Sequence, residues 1–283
     1  MKIREFVMGD LVLGVAQGIG PRIMKLTVKG MPGENLFAVL PDAGVDTPEG
    51  FWHIYGGHRL WSSPEAMPRS YSADNTPVRV EERDGRINIY GNTETQNNIQ
   101  KEIEIRPAGD YSVEVVHRIK NTGRWPVTLA CWALSVMKPG GFAIVPAKRG
   151  GGGLLPDRRL TLWPYTDLSD RRLVMEKDFI FLKQDVKSKN PVKIGTMAHP
   201  CWTAYWVDGL LFVKQFVQEK GEYPDFGCSV EVYTNADMLE LETVGPLKTL
   251  KPGGAAEHVE IWTVKKVPVL SPLQADAEEK VRV

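Results

Sequence analysis

The sequence predicts an all-β protein, a single large antiparallel sandwich over residues 1–283 with 268–283 as a C-terminal tail. Many short segments alternate apolar and polar residues with a period of two, and helical periodicity is almost absent. The segments are punctuated by 27 Gly and 20 Pro, with Asn and Asp at further turns. Roughly fifteen to nineteen strands are expected on this reading. No repeat of fixed period points to a propeller or solenoid.

The elements follow in order. Segments 78–82 and 86–90 flank Asp84-Gly85, a two-residue hairpin turn whose glycine takes positive φ at little cost. Segment 99–105 places Ile99, Lys101, Ile103 and Ile105 on one face. Segment 110–120 sets Tyr111, Val113, Val115, His117 and Ile119 against Ser112, Glu114, Val116 and Arg118, with Val116 as the apolar exception. His117 therefore reads as a packed strand residue. Segments 210–217, 228–233, 238–243 and 258–264 alternate in the same way. A short charged segment, 272–280, is the one helical candidate and reads as solvated tail.

Lys plus Arg and Asp plus Glu are 35 each, so the formal net charge is zero. Nucleic-acid binding and attraction to an acidic membrane are not expected from that balance. The first ten residues carry Glu5 and Asp10 and no apolar run, unlike a signal peptide. The longest apolar run, 127–137, has about half the length of a bilayer span. Cys131, Cys201 and Cys228 are far apart and form no CxxC pair, which predicts neither a disulfide framework nor a zinc site. A cytoplasmic protein without cofactor or metal, monomeric or homodimeric, is the expectation.

Candidate chemistry concentrates in three places. Segment 51–65, FWHIYGGHRLWSSPE, mixes His53, His58, Arg59 and Glu65 with Trp52, Tyr55 and Trp61 around Gly56-Gly57. Flat aromatic faces beside hydrogen-bonding groups suit a sugar ring, whose C–H patches are apolar and whose hydroxyls need partners. The bland alternative is a loop whose aromatics cap the core. Glu240 and Glu242 share one face of a strand; buried together, each would raise the other's pKa and favour a general base. Otherwise both simply face water. Segment 162–172 offers Asp167 and Asp170 for an ion or sugar hydroxyls, or for local turn hydrogen bonds. Lys148 and Arg149 precede a glycine run without the pattern of a phosphate-cradling loop. Trp202 and Trp206 share a strand face, as core or as a sugar platform.

Read in order, these segments resemble the galactose mutarotase-like (aldose 1-epimerase-like) superfamily, and within it a bacterial branch with a GGHRLW-type motif. The resemblance runs from GPRIMKLTVKG through YGGHRLWSSPE, HRIKNTGRWPVTLACWAL and LWPYTDLSD to VYTNADMLELETVGP and HVEIW. It implies a β-supersandwich whose two large antiparallel sheets form a cleft for a sugar. It also implies anomer interconversion, in which a carboxylate takes the anomeric proton while an acid protonates the ring oxygen. Glu242 in LETVGP matches the base, and His58 is the acid that the motif offers. Arg22 and Arg59 are expected on sugar hydroxyls, with Trp61, Glu65, Trp132, Asp167 and Glu240 as further contacts. Trp132 stands where the family carries its acid histidine, and an indole N–H donates a hydrogen bond but delivers no proton. The rival reading is a non-catalytic sugar-binding module. Catalysis by Glu242 and His58 requires both to flank one hollow, roughly 5–8 Å apart.

Overall fold

The computed structural model describes residues 1–30, 35–147 and 153–271. Lys148, Arg149 and the 272–280 helical candidate lie outside the described residues. Two ten-stranded antiparallel sheets and one two-stranded hairpin account for nearly all regular structure. The first sheet runs, in spatial order, Ile3–Met8, Leu11–Ala16, Arg22–Val28, His58–Ser63, Val127–Met137, Leu239–Val244, Val230–Thr234, Val192–Thr196 and Thr161–Leu162. Lys248–Leu250 joins it by pairing with the start of Val127–Met137. The second runs Leu173–Met175, Phe179–Lys183, Phe142–Pro146, Trp202–Val207, Leu210–Phe216, Ala255–Lys266, Ser112–Asn121, Ile99–Gly109, Arg86–Glu94 and Arg79–Arg83. The separate hairpin pairs Val39–Thr47 with Gly50–Gly56.

The all-β expectation holds, and the chain has the supersandwich architecture. The 22 strands among the described residues exceed the expected number. The surplus is made of pieces such as Thr161–Leu162, Leu173–Met175 and Lys248–Leu250, too short for alternation to be visible. Asp84 and Gly85 take φ of 51° and 72° in the tight turn between Arg79–Arg83 and Arg86–Glu94, as the hairpin requires. Among the described residues the helical content is a three-residue turn, Arg69–Tyr71; the short segment Pro224–Gly227 is a turn with positive φ at Asp225 and Phe226. The first residues of the segment read as a C-terminal tail, from 268, pack on the sandwich. Leu270 is buried with Val267 against Phe142, Ile144 and Leu211 on the second sheet.

The core lies between the large sheets. Ile103, Ile105, Val113 and Val115 from the second sheet join Leu13, Leu26, Leu239 and Leu241 from the first in one buried cluster. Each such side chain contributes about 1.5–3 kcal/mol when fully buried. Alternation within the first sheet then decides which residues face this core and which face outward. In His58–Ser63, Leu60 joins the inter-sheet cluster while Trp61 joins a separate cluster with Trp52 and Trp132. In Leu239–Val244, Leu241 faces the core and Glu242 the other side.

A polar network sits inside the core. Lys214 is fully buried and pairs with Glu260 at 2.8 Å, while its ammonium also donates to the carbonyls of Ala133 and Leu241. Trp262 donates its indole N–H to Glu260 at 2.6 Å. His117 Nδ1 donates to the His258 carbonyl at 3.0 Å, which leaves its Nε2 to accept from His58 at 2.8 Å. His58 Nδ1 then accepts from the Ser135 hydroxyl at 2.9 Å. His58, His117 and Glu260 bring ligand-type atoms within 4.8 Å of one another. Lys214 already balances Glu260 there, so a dication would add uncompensated buried charge, at a cost of several kcal/mol. The cluster is a hydrogen-bonded tie between the sheets.

Candidate functional site

The outward face of the first sheet is hollowed into a cleft of about 540 Å³. Its floor comes from four adjacent strands, which contribute Arg59 and Trp61, Trp132, Glu240, and Tyr233. Lys193 and Trp163 close one end, and the Val39–Thr47/Gly50–Gly56 hairpin overhangs the other through Ala43, Gly44 and Val45. Gly56 and Gly57, with φ of 81° and 67°, turn the chain sharply from that hairpin into the floor. A Cβ on Gly57 would lie 2.6 Å from the Ile23 carbonyl oxygen, so the close approach needs glycine.

Charged groups in the floor are tightly paired. Arg59 is almost fully buried, donates to Glu240 at 2.8 Å and stacks 4.5 Å over the Trp61 ring. Its Nε and Nη1 are buried without a protein partner. Lys193 reaches Glu231 at 2.8 Å and Glu242 at 3.1 Å, with its ammonium 4.6 Å from the rings of both Trp132 and Trp163. Trp132 Nε1 donates to the same Glu242 oxygen at 2.8 Å, and the other oxygen, Oε1, has no protein partner. Tyr71 donates to Glu65 at the rim.

These contacts set the protonation states. Burial alone would lower the Lys193 pKa, yet the charges of Glu231 and Glu242 lift it well above the ordinary lysine value. Burial raises Glu242, helped by the charge of Glu240 and opposed by Lys193 and the Trp132 hydrogen bond. Burial raises Glu231 well above the carboxylate range, with Lys193 opposing and Glu242 reinforcing. One ammonium faces two buried carboxylates, so burial and their mutual repulsion raise the pKa of both and couple their titration.

The structure brings Arg59, Trp61, Glu65, Trp132 and Glu240 together on the cleft wall. Glu242 lies immediately beneath it, fully buried under Trp132 and Lys193. His58 is a correction. It is fully buried and points from the opposite face of its strand into the inter-sheet core, where Ser135, His117 and Trp262 surround it. Its neighbour Arg59 takes the cleft face, and a strand sends successive side chains to opposite sides. Arg22 is a second correction. It is fully buried, saturated by Asp74 at 2.6 Å and by the carbonyls of Ile54 and Gly56, and so clamps the hairpin instead of meeting the cleft. Asp167 is a third. It is exposed in a turn and bonds its own Ser169, the local alternative for that segment. None of the five histidines lines the cleft. His199 is exposed, and His53 accompanies Tyr55 on the hairpin.

Sequence reasoning missed Lys193, Glu231, Trp163, Tyr165 and Tyr233. Part of the signal was there: Glu231 pairs directly with Glu242, and Tyr233 with Glu240, across neighbouring strands. The period of two puts all four on one face once that hairpin is recognised. Lys193 had no such signal, because its strand, Val192–Thr196, is short and distant in sequence.

No family model matches the chain, and none of the curated proteins does. Solved structures do match over nearly its whole length. A galactose mutarotase-like protein from Lactobacillus casei superimposes with a TM-score of 0.60 at 10% identity, covering 93% of this chain and 100% of the other. The galactose mutarotase related enzyme from Lactobacillus acidophilus gives 0.58 at 11% identity, covering 95% and 100%. The Slr1438 protein from Synechocystis sp. PCC 6803 gives 0.60 at 14%, covering 94% and 96%. This chain has the galactose mutarotase-like fold.

Proposed function

We propose that this galactose mutarotase-like fold serves to bind an uncharged carbohydrate in the cleft over Arg59, Trp132 and Glu240. One observation carries the reading: Arg59 Nε and Nη1, buried donors on the cleft wall, have no protein partner. Buried polar groups are costly without partners. Sugar hydroxyls both accept and donate, so an outward shift of the shielded Arg59 guanidinium on binding would let them satisfy these nitrogens and the neighbouring Glu240 together. Trp61, Trp163 and the half-exposed Tyr165 supply apolar faces for a pyranose ring. A cytoplasmic setting belongs to the same proposal, supported by three free cysteines, two of them buried.

Calorimetry against a panel of aldoses tests it. Saturable binding is expected, weakened about tenfold or more, equivalent to about 1.4 kcal/mol, by Tyr165→Ala or Arg59→Lys. Absence of binding across the panel, or binding indifferent to both substitutions, overturns it.

Anomer interconversion is the second reading, favoured by Glu242 lying beneath the cleft with a raised pKa and coupled to Glu231 through Lys193. In this reading Glu242 accepts the anomeric proton after Lys193 swings aside, and the triad replaces a histidine acid. Polarimetry decides it: acceleration of α-glucose or α-galactose relaxation that Glu242→Gln abolishes supports catalysis, and none over the panel leaves binding alone.

A further inference from the structure

A second cavity, of about 600 Å³, adjoins the cleft and falls within the range of small-molecule sites. Trp61 forms part of the wall of both. The two also share their other boundaries. The overhanging hairpin contributes Ala43 to Val45 to the cleft and its tip, Pro48 and Glu49, to the second cavity. The segment that follows the floor strand contributes Glu65 and Tyr71 to the cleft, then Ser72 to Asp74 and Thr76 to the neighbour. The two hollows thus lie side by side, with Trp61 in the wall of both.

Two of the three carboxylates lining the second cavity are tied up within the protein, and the third, Glu49, sits exposed at the hairpin tip. Asp74 is held by Arg22, and Glu94 by Lys101 at 2.6 Å and by Asn97 at 2.7 Å. What remains for a ligand is mainly hydroxyl and amide: Ser72, Thr93, Thr95 and Gln96, while the Asn92 amide donates to the Thr76 hydroxyl and the Pro77 carbonyl. Thr93, Thr95 and Gln96 are solvent-exposed and reachable. Such groups donate and accept alike, which matches neutral polyhydroxyl chemistry and gives no anchor for a phosphate.

We propose that the second cavity is a further sugar subsite, so that the ligand is a neutral oligosaccharide lying across Trp61 and not a single monosaccharide. The inference rests on the carbohydrate reading of the cleft and extends it to a longer ligand. A ligand occupying both hollows gains contacts without a second full loss of translational freedom, so affinity rises with chain length.

Calorimetry with glucose, galactose and mannose, and with their linear di-, tri- and tetrasaccharides, tests the proposal on the full chain. Expected is at least about tenfold tighter binding of a tri- or tetrasaccharide than of its own monosaccharide. Thr95→Ala and Gln96→Ala, both at exposed positions, are expected to erase that gain and leave monosaccharide affinity unchanged. Equal affinity at every length overturns the subsite while the cleft reading stands, and so does an equal effect of the substitutions at every length. Failure of every sugar at every length removes the cleft reading, and the subsite with it.

Discussion

Trp132 donates its indole N–H to Glu242 across 2.8 Å, from the strand directly beside it in the sheet. The residue standing where a proton-delivering histidine was expected is thus a fixed donor that favours the charged form of a buried carboxylate. Its removal has a defined consequence. Trp132→Phe keeps the ring and deletes the donor, so stability should fall by about 1.5–3 kcal/mol, as for a hydrogen bond to a charged group. The urea midpoint should drop at unchanged slope. An unchanged midpoint would show that the indole hydrogen bond adds no net stability.

Glu231 gives the alkaline side of the stability profile. Its folded pKa is raised above the unfolded value, mainly by burial. The folded state therefore binds more protons than the unfolded chain between those two values. Its contribution is complete below the unfolded pKa and is lost as pH rises through the folded one. Glu231→Gln cannot titrate, so its stability relative to wild type should improve as pH rises from the ordinary carboxylate range towards the raised folded value. Denaturant midpoints across that range check the sign.

The core histidines act in the opposite direction. Burial pushes His258 down to about 3 against the attraction of Glu260, and it lowers His58 and His117 too. Unfolded imidazoles take up protons below about pH 6.5 while the folded ones stay neutral. Stability should fall on acidification, by up to about 1.4 kcal/mol per pH unit for each histidine. Glu260, held at about 2 by Lys214 against its own burial, adds a loss in the same direction at lower pH. His258→Asn should flatten the slope between pH 6.5 and 5; an identical slope would place the titration elsewhere.

Gly57 ties the motif to the geometry of the floor. Its φ of 67° and the 2.6 Å approach to the Ile23 carbonyl leave no room for a side chain. Gly57→Ala should cost about 1–3 kcal/mol. It should also weaken sugar binding, because the turn aims Arg59 two residues later. A melting curve and a calorimetric titration read the two effects separately.

Alternation is a local property, and it was legible wherever a strand was long enough to display it. Val113, Val115, His117 and Ile119 announced their shared buried face, and Asp84-Gly85 announced its hairpin. Glu240 and Glu242 were placed on one face for the same reason. In the GGHRLW segment the alternation went unread and His58 and Arg59 were both assigned to the site, although they lie on opposite faces of one strand. What the chain alone did not reveal was which face is inward, because both faces of the His58–Ser63 strand are buried.

Sequence by itself determined the all-β class, the turns and the sets of residues sharing a face, since these follow from a two-residue period and from which residues tolerate positive φ. Tertiary structure alone decided that His58 faces the second sheet, that Arg22 clamps a hairpin, and that Lys193 meets Glu231 and Glu242 from a strand about 40 to 50 residues away. Those outcomes depend on which sheet face covers which, a matter of non-local packing and charge balance that no window of the sequence contains.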